Sequence, residues 1–464
     1  MHKYLIVTLL LLSVPMHAQV LVKPGEEIRP IKPMNAVNNG PIVARKSQTR
    51  SNYESFKAAR IPYARTHDTA LYSGYGGHHS VDISAVFPDF EADVDSPESY
   101  DFKVTDKFIS DVYSAGTEIF FRLGQSIENW AKKYDVWPPK DYKKWARICE
   151  HVIMHYNKGW AEGYHYGIEY WEIWNEADLD RDEKDWKNAP RNWGGSPQQF
   201  FEFFEVAAKH LHRRFPELKI GGPALCGSLE WAEDFLSHMK KHRVPLDFFS
   251  WHCYSNTPES IVAMSDKVDA LLEKYGYSSS ESILDEWNYL RDWSDNFVYT
   301  VERVNSIKGG AFCASVMSAC QDAGTDMLMY YDLRPSTSFC GVYDAVSLKP
   351  QPAYYAFYLW SRLRDYPMQV KTCVDSGCKG IYATAATGEG KGLAVMVVRF
   401  NDDDNVSSSM QVEIKIESGI PDCTVYAHLT DDVHVFTEIP VEIKGGVATL
   451  LLAPQSFVFL EIPQ

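Results

Sequence analysis

The chain contains the stretch YWEIWNE at residues 170–176 and the stretch SILDEWN at residues 282–288. Each is an apolar, aromatic-rich run of strand length that leads to a glutamate, Glu176 in the first and Glu286 in the second. A buried strand that stops at a carboxylate places that group at the mouth of a barrel, where its surroundings can tune its pKa. The two stretches therefore predict a barrel with two carboxylates at one end.

Either stretch alone is compatible with a glutamate that has only a structural role. The pair favours a functional role, because Asn175 directly precedes Glu176 and the two stretches fall at the fourth and seventh strands of an alternating pattern. Paired carboxylates of this kind cleave glycosidic bonds. The hypothesis from these residues is therefore a glycosidase.

The first part of the chain alternates short strand-like runs with runs of helical periodicity, and Ser51 and Ser196 are candidate N-caps. Eight strand and helix units in series predict an α/β fold, namely a (β/α)8 or TIM barrel. The predicted strands are 31–38, 61–66, 118–124, 169–174, 218–222, 246–252, 281–286 and 326–332. The predicted helices are 51–60, 101–115, 140–157, 196–212, 229–242, 258–275, 307–323 and 351–363, and we expect residues 181–185, a charged run of mixed sign, to be a solvated loop.

The pattern changes after Arg364 to runs with a period of two residues, separated by Gly, Asn and Asp turns. This pattern predicts an appended antiparallel β-sandwich domain at residues 366–464. The barrel is assigned to residues 19–365, with the alternative that 19–30 add a strand to the sandwich. The runs of period two are 393–400, 410–416, 424–429 and 447–452.

The N-terminus has the pattern of an export signal at residues 1–18: His2 and Lys3, an apolar run, and a cleavage site predicted after Ala18. The apolar run is too short to span a bilayer, so we expect an exported periplasmic or extracellular protein without membrane insertion. Because the chain has nine cysteines, at least one thiol is unpaired, and we expect at most two disulfides, with Cys373 and Cys378 as the nearest candidates.

The amino-acid composition restricts the classes of binding partner that we expect for this protein. The formal net charge of −16 argues against nucleic acid, which requires a basic surface. The 13 Trp and 27 Tyr residues suit stacking on the apolar faces of sugar rings, although most will belong to the core. An oligosaccharide is the expected partner, and the oligomeric state is left open.

Several motifs resemble the clan A glycoside hydrolases, and more narrowly family 39, which includes β-xylosidases and α-L-iduronidases. The resemblance implies a retaining O-glycosidase without a cofactor or metal. The motifs are ARTHD at 64–68, WNE at 174–176, GGP at 221–223, DFFSWHCY at 247–254 and DEW at 285–287.

The resemblance implies that Glu176 is the acid/base and Glu286 the nucleophile. Glu176 must hold a proton for the leaving oxygen, which burial and nearby negative charge favour. Glu286 must stay ionised, and Arg65 is the candidate cation that holds it. Retention of anomeric configuration further requires a carboxyl separation of roughly 5 to 5.5 Å.

Further residues are assigned to the substrate site. Asn175 is expected to donate to the hydroxyl next to the anomeric carbon. His67 and His252 resemble the family's subsite histidines, and Tyr254 is expected to contact Glu286 or the sugar. Trp287 is as compatible with packing as with a sugar platform.

The specificity region departs from the family pattern. Family xylosidases place a Trp and two Glu residues beyond the eighth strand, whereas this chain reads YYDLRP at residues 330–335. Tyr331, Asp332 and Arg334 are therefore candidates for holding sugar hydroxyls or a carboxylate. Together with the aromatic and acidic loop at 72–95, they suggest a different or longer substrate, and the family points to plant cell-wall glycans that contain xylose, arabinose or galactose.

Three alternatives remain at this point. A catalytically silent carbohydrate-binding barrel would bind glycans without turnover, and a transglycosylase would form sugar-acceptor products on the same scaffold. A metal-dependent barrel hydrolase would need a His-x-His pair leaving the first strand, whereas residues 34–38 read MNAVN.

Overall fold

The computed structural model describes residues 17–44, 49–67, 80–335, 337–417 and 420–463. These residues form two compact units. One unit is Pro30–Pro367, and the other combines the described residues up to Arg29 with those from Met368 onward. The predicted export signal lies outside the described residues except for His17 and Ala18, and so does the 72–79 part of the loop after the second barrel strand.

The unit Pro30–Pro367 is a closed barrel of parallel strands, which confirms the predicted TIM barrel. Elements are numbered along the whole chain, so the first barrel strand is β2, and β9 pairs with β2 to close the ring. The strands are β2 (Ala36–Asn38), β3 (Tyr63–Arg65), β4 (Glu118–Leu123), β5 (Tyr170–Ile173), β6 (Lys219–Leu225), β7 (Phe248–Ser255), β8 (Glu281–Tyr289) and β9 (Met327–Tyr330).

The helices of this unit surround the barrel and begin at the residue types that satisfy free backbone N–H groups. Ser196 and Gln199 form a capping box before α6, and Asp141 accepts from two backbone N–H groups before α4. The helices are α1 (Tyr53–Ala58), α2 (Ile83–Val86), α3 (Lys103–Ser114), α4 (Tyr142–Lys158), α5 (Glu183–Asn188), α6 (Pro197–Arg214), α7 (Leu229–His242), α8 (Pro258–Tyr275), α9 (Phe297–Val304), α10 (Ile307–Asp322) and α11 (Pro352–Leu363).

The predicted element bounds needed local corrections. The first barrel strand is shorter than predicted, because Pro33 lacks the backbone donor that a strand ladder uses. The N-cap position of α1 is occupied by Asn52 and not by Ser51, which lies one residue earlier. The Ser51 hydroxyl accepts a hydrogen bond from Tyr53 N at 3.1 Å. The loop predicted at 181–185 contains the start of α5, whose acidic first turn suits the helix dipole. Helix α9 was not predicted.

The barrel interior changes from apolar to polar along single strands, because residues two positions apart share a face. An apolar layer includes Tyr170, Phe248 and Ile283 in one packed cluster. Two residues further toward the carboxyl end of the same strands are Glu172, Ser250 and Asp285, all fully buried or nearly so. The polar layer therefore lies at the end of the barrel where active sites of this fold are built.

The second unit is a nine-stranded closed sheet with a single hydrophobic core. Most neighbouring strands are antiparallel, and β1 pairs with β13 in parallel, so the sheet is mixed. Its strands are β1 (His17–Pro30), β10 (Met368–Val374), β11 (Ile381–Gly388), β12 (Gly392–Arg399), β13 (Met410–Ile416), β14 (Cys423–Thr430), β15 (Thr437–Lys444), β16 (Val447–Leu452) and β17 (Ser456–Ile462).

All nine cysteines lie in the described residues and are free thiols, including Cys373 and Cys378. Cys149 and Cys313 are buried core residues, and Cys253 is partly buried. None of the helices in the described residues has the length and apolar character needed to cross a membrane.

Candidate active site

Glu176 reaches the barrel mouth through an irregular end of β5. Trp174 and Glu176 have left-handed backbone conformations, with φ of 71° and 47°. The Trp174 indole is buried and donates to Asn192 O at 3.0 Å, and Glu176 N donates to Ala224 O at 2.9 Å. These contacts fix the turn, and Glu176 is 6% exposed.

Glu286 lies within β8 and is bonded by side chains from three other positions. Arg65 Nη1 donates to its Oε1 at 2.9 Å, and Tyr254 donates to its Oε2 at 2.8 Å. His67 Nε2 is 3.2 Å from Oε1. This donor set favours the carboxylate form that a nucleophile needs.

His252 joins the two glutamates. Its Nδ1 is 2.7 Å from Glu176 Oε1 and 3.6 Å from Glu286 Oε2. The irregular register between β7 and β8 begins at His252, which pairs with Glu286 across the strands. A carboxyl oxygen of Glu176 lies within 4.8 Å of one of Glu286.

Arg65 is the buried cation beneath this pair. Its guanidinium contacts Glu172 Oε2 at 2.7 Å, Asp285 Oδ2 at 3.0 Å and Asn175 Oδ1 at 2.7 Å, besides Glu286. Because Arg65 holds the amide oxygen of Asn175, the amide nitrogen remains as a donor. Asn175 Nδ2 is buried and has no hydrogen-bond partner within the described part of the chain.

Burial and neighbouring charges shift the protonation equilibria of the site. Burial raises the pKa of Glu286 to about 7; the charge of His252 acts to lower it, and that of Glu176 to raise it. Burial alone would lower the pKa of His252, but the charges of Glu286 and Asp285 outweigh burial and raise it well above its usual value. His252 is therefore cationic near neutral pH.

Of the remaining predicted site residues, some line the cavity and others do not. Tyr331 lines the same cavity as His67 and Tyr254. Trp287 is fully buried and packs edge-on against Tyr330, so its place is in the core rather than on the cavity wall.

Asp332 and Arg334 bond to each other rather than line the cavity wall. The Arg334 guanidinium contacts Asp332 Oδ2 at 3.0 and 2.7 Å, and Asp332 is fully buried. Neither residue is among those that line the cavity. They form an ion pair in the segment after β9.

The cavity above the two glutamates has a volume of about 670 Å³, which is the size of a small-ligand site. One side is aromatic and the other is mainly polar and aliphatic. The sequence predicted Tyr254 and Tyr331 of the aromatic side and no residue of the other side. Trp293, in the segment after the seventh barrel strand, is a signal that could have extended the aromatic side. The aromatic side contains Tyr254, Trp293, Phe297, Tyr331 and Phe339, and the other contains Ile127, Asn129, Leu179, Arg191 and Cys226.

Two groups of side chains have the composition of a metal site among the described residues. One is Glu176, His252 and Glu286, and the other is Glu205 of α6 with His238 and His242 of α7. In the second group, Glu205 Oε2 is 2.9 Å from His238 Nε2 and 3.0 Å from His242 Nδ1, so the three groups already satisfy one another. In the first group, the His252 imidazole lies between the carboxyl groups of Glu176 and Glu286.

A TIM barrel with two carboxyl groups this close, at the carboxyl ends of its fourth and seventh strands, defines the class of two-carboxylate glycosidases. The profile of "Glycosyl hydrolases family 39" matches residues 74–433. The chain belongs to this family of glycoside hydrolases, which confirms the resemblance seen in its motifs.

Individual relatives differ in the sugar named for them. A β-xylosidase of Geobacillus stearothermophilus is 27% identical over 361 residues, which is 67% of this chain and 67% of the relative. An α-1,4-L-rhamnosidase of Formosa agariphila is 28% identical over 126 residues, 26% of this chain and 24% of the relative. The crystal structure of a glucosidase from Croceicoccus marinus has a TM-score of 0.77 at 22% identity, covering 97% of this chain and 99% of that one.

Proposed function

We propose that this family 39 hydrolase cleaves its substrate with retention of anomeric configuration, by double displacement. The observation that supports the proposal most is that one carboxyl oxygen of Glu176 lies within 4.8 Å of one carboxyl oxygen of Glu286. Retaining enzymes separate their carboxyl groups by roughly 5 to 5.5 Å, whereas inverting enzymes need roughly 6.5 to 9.5 Å for a water molecule.

In the first step, Glu286 attacks the anomeric carbon while Glu176 gives its proton to the glycosidic oxygen. The carbon–oxygen bond to the leaving group breaks, and an ester bond to Glu286 forms. The attacking oxygen must be ionised, and Arg65, Tyr254 and His67 provide the contacts that favour this form. His252 Nδ1 donates to Glu176 Oε1, which leaves the other oxygen of Glu176 to carry the transferable proton.

In the second step, the ester has removed the charge of Glu286, so Glu176 is the remaining carboxylate near the anomeric carbon. It takes a proton from the incoming water as the water oxygen attacks that carbon. The bond to Glu286 breaks, and both carboxyl groups return to their starting states. Two inversions at one carbon give net retention.

Asn175 is placed to recognise the sugar during these steps. Its amide nitrogen is a buried donor with no partner in the described part of the protein, and such a group costs free energy until a ligand pairs it. We assign this donor to the hydroxyl next to the anomeric carbon, where a hydrogen bond strengthens in the transition state.

The substrate class is proposed from the family and the cavity together. The aromatic side suits the apolar face of a sugar ring, and plant cell-wall oligosaccharides with xylose, arabinose or galactose are the proposed substrates. The β-xylosidase relative supports xylose, whereas the rhamnosidase relative argues that the glycone varies. The export pattern of residues 1–18 supports action in a periplasm or outside the cell.

The test is product release from a panel of plant oligosaccharides and aryl glycosides, with the anomeric form of the first product followed by NMR. We expect one sugar to be released with retained configuration by the wild type and no release by Glu286→Ala. Release with inverted configuration would contradict the mechanism. Glycan binding without release would favour the silent barrel, and sugar-acceptor products in place of free sugar would favour the transglycosylase.

A further inference from the structure

Glu172 and Asp285 form a buried acid pair that the proposed reaction does not use directly. Glu172 belongs to β5, Asp285 belongs to β8, and both contact the Arg65 guanidinium of β3. All three side chains are fully buried. The acid pair lies directly beneath Glu286 and Asn175, since Arg65 bonds to these two residues as well.

Charges do not balance in this centre unless some acids are protonated. Four acids, Glu172, Glu176, Asp285 and Glu286, share two buried cations, Arg65 and His252. An unbalanced buried charge is expensive, and a buried group takes up or releases a proton instead. With one proton on Glu176 for the leaving group, one further proton brings these six groups to neutrality.

The contacts distinguish the two acids of the pair. Asp285 has both cations next to it, with Arg65 Nε at 3.0 Å from Oδ2 and His252 Nε2 at 3.4 Å from Oδ1. Among the described residues, Glu172 has only Arg65 as a cationic partner, at 2.7 Å. Negative charge is therefore more stable on Asp285 than on Glu172.

The unpaired atoms indicate where the proton resides. Glu172 Oε1 and both Asp285 oxygens are buried and accept no hydrogen bond when both groups are treated as carboxylates. A proton on Glu172 supplies a donor that Asp285 can accept, since the two side chains lie within hydrogen-bonding reach of each other. The pair is then satisfied internally, which is the normal condition of buried polar groups.

We propose that Glu172 holds a proton while Asp285 is ionised, and that the two are positioning residues that hold Arg65 against Glu286 and Asn175. The pKa directions agree with this assignment. Burial raises the pKa of Glu172 to about 8, and the nearby charge of Asp285 acts in the same direction. Burial also acts to raise the pKa of Asp285, but Arg65 and His252 outweigh it and keep that pKa below its usual value.

The kinetic part of the test rests on the proposed function and compares Glu172→Gln with Asp285→Asn. Gln is a neutral mimic of a protonated glutamic acid, so we expect Glu172→Gln to stay within about fivefold of the wild-type kcat/KM. Asp285→Asn removes the charge that holds Arg65 and His252, so we expect kcat to fall about 100-fold or more with a smaller change in KM.

The pH dependence separates positioning from simple loss of folding. Removing the charge of Asp285 should lower the pKa of Glu286, so the acidic limb of kcat/KM should move to lower pH by about one unit. Circular dichroism and thermal unfolding at each pH show whether the variants are folded. The opposite pattern, with Glu172→Gln inactive and Asp285→Asn active, would overturn the assignment, and so would two variants that match the wild type in rate and pH profile.

A second measurement does not depend on catalysis. It can therefore distinguish failure of the proton assignment from failure of the proposed function. Infrared spectra in D2O near pH 6.5 should show a carboxylic acid C=O band in the wild type. The band should be reduced in Glu172→Gln. Identical bands in wild type and Glu172→Gln would refute the proton assignment even if every glycoside is cleaved, whereas an inactive wild type that shows the band difference would refute only the proposed function.

Discussion

His252 Nδ1 lies 2.7 Å from Glu176 Oε1, and the same nitrogen lies 3.6 Å from Glu286 Oε2. One imidazole therefore contacts both carboxyl groups that the reaction uses. Its positive charge lowers the pKa of Glu286, and its hydrogen bond orients Glu176. The cation thus connects the protonation states of the acid/base and the nucleophile.

His252→Gln should keep a donor toward Glu176 but remove the charge. The pKa of Glu286 should then rise, so the acidic limb of kcat/KM should move to higher pH by about one unit. The measurement is kcat/KM against pH on an aryl glycoside. His238→Gln on α7 is the matched control and should leave the profile unchanged; an unchanged profile in His252→Gln would refute the role of the charge.

Glu176→Ala should affect substrates according to their leaving group. General acid catalysis contributes about 10²- to 10⁴-fold, and an aryl leaving group of low pKa needs little of it. We expect kcat/KM to fall strongly on an oligosaccharide and weakly on a dinitrophenyl glycoside. Azide, which needs no general base, should restore kcat on the aryl substrate and give a glycosyl azide. Equal losses on both substrates without azide rescue would argue against Glu176 as the acid/base.

Asn175→Ala should remove a transition-state contact. We expect a loss of about 10²- to 10³-fold in kcat on the full substrate, because one such donor has about that effect. A substrate that lacks the hydroxyl next to the anomeric carbon serves as the control, since wild type and variant should cleave it at similar rates. A full loss on this substrate too would mean that Asn175 acts only by holding Arg65.

The stability of the protein should fall as the pH rises from about 5 to 8. The pKa of Glu172 is about 8 in the folded protein against 4.5 for an ordinary glutamate, so the folded state binds more protons than the unfolded state over this window. Glu286 contributes in the same direction, with a pKa of about 7. Thermal unfolding against pH should show a flatter slope for Glu172→Gln than for the wild type. Glu273→Gln, on an exposed position of α8, should follow the wild type; a Glu172→Gln slope equal to that of the wild type would contradict the raised pKa.

Arg334→Ala should reduce stability at least as clearly as turnover. The change leaves fully buried Asp332 without its guanidinium contacts, and breaking such a buried pair costs about 3–5 kcal/mol. The double variant Arg334→Ala with Asp332→Asn should recover part of the lost free energy of unfolding in urea. A stable single variant with lost turnover would instead favour a direct role of Arg334 in holding substrate.

Much of the barrel follows from local sequence signals. Helix α7 matches its predicted bounds, because Ser228 caps its start and the Leu229–His242 run keeps a helical period to its end. Glu176 and Glu286 were identified because each follows an apolar strand in the same chain segment. These features depend on residues that are close in sequence, which is where periodicity and capping give information.

The centre beneath the glutamates could not be predicted in the same way. Glu172 and Asp285 both occur in the quoted stretches, but their role depends on which strand faces turn inward and on the contact with Arg65, more than a hundred residues from Glu172. The aromatic side of the cavity comes from connecting segments, including the segment that carries Trp293. These segments show no regular hydrophobic periodicity from which their position could be predicted. Long-range contacts and irregular backbone therefore account for most of what was missed.

Strand β1 has a consequence for the order in which the protein can fold. Its residues up to Val22 pair with β13, so this segment finds that partner only after residues 410–416 have been made. Until then Val20 and Val22, which are fully buried in the finished sheet, remain without their packing partners. Closure of the nine-stranded sheet is therefore expected to be a late event in folding, and removal of the C-terminal strands would leave β1 as an unpaired, aggregation-prone edge.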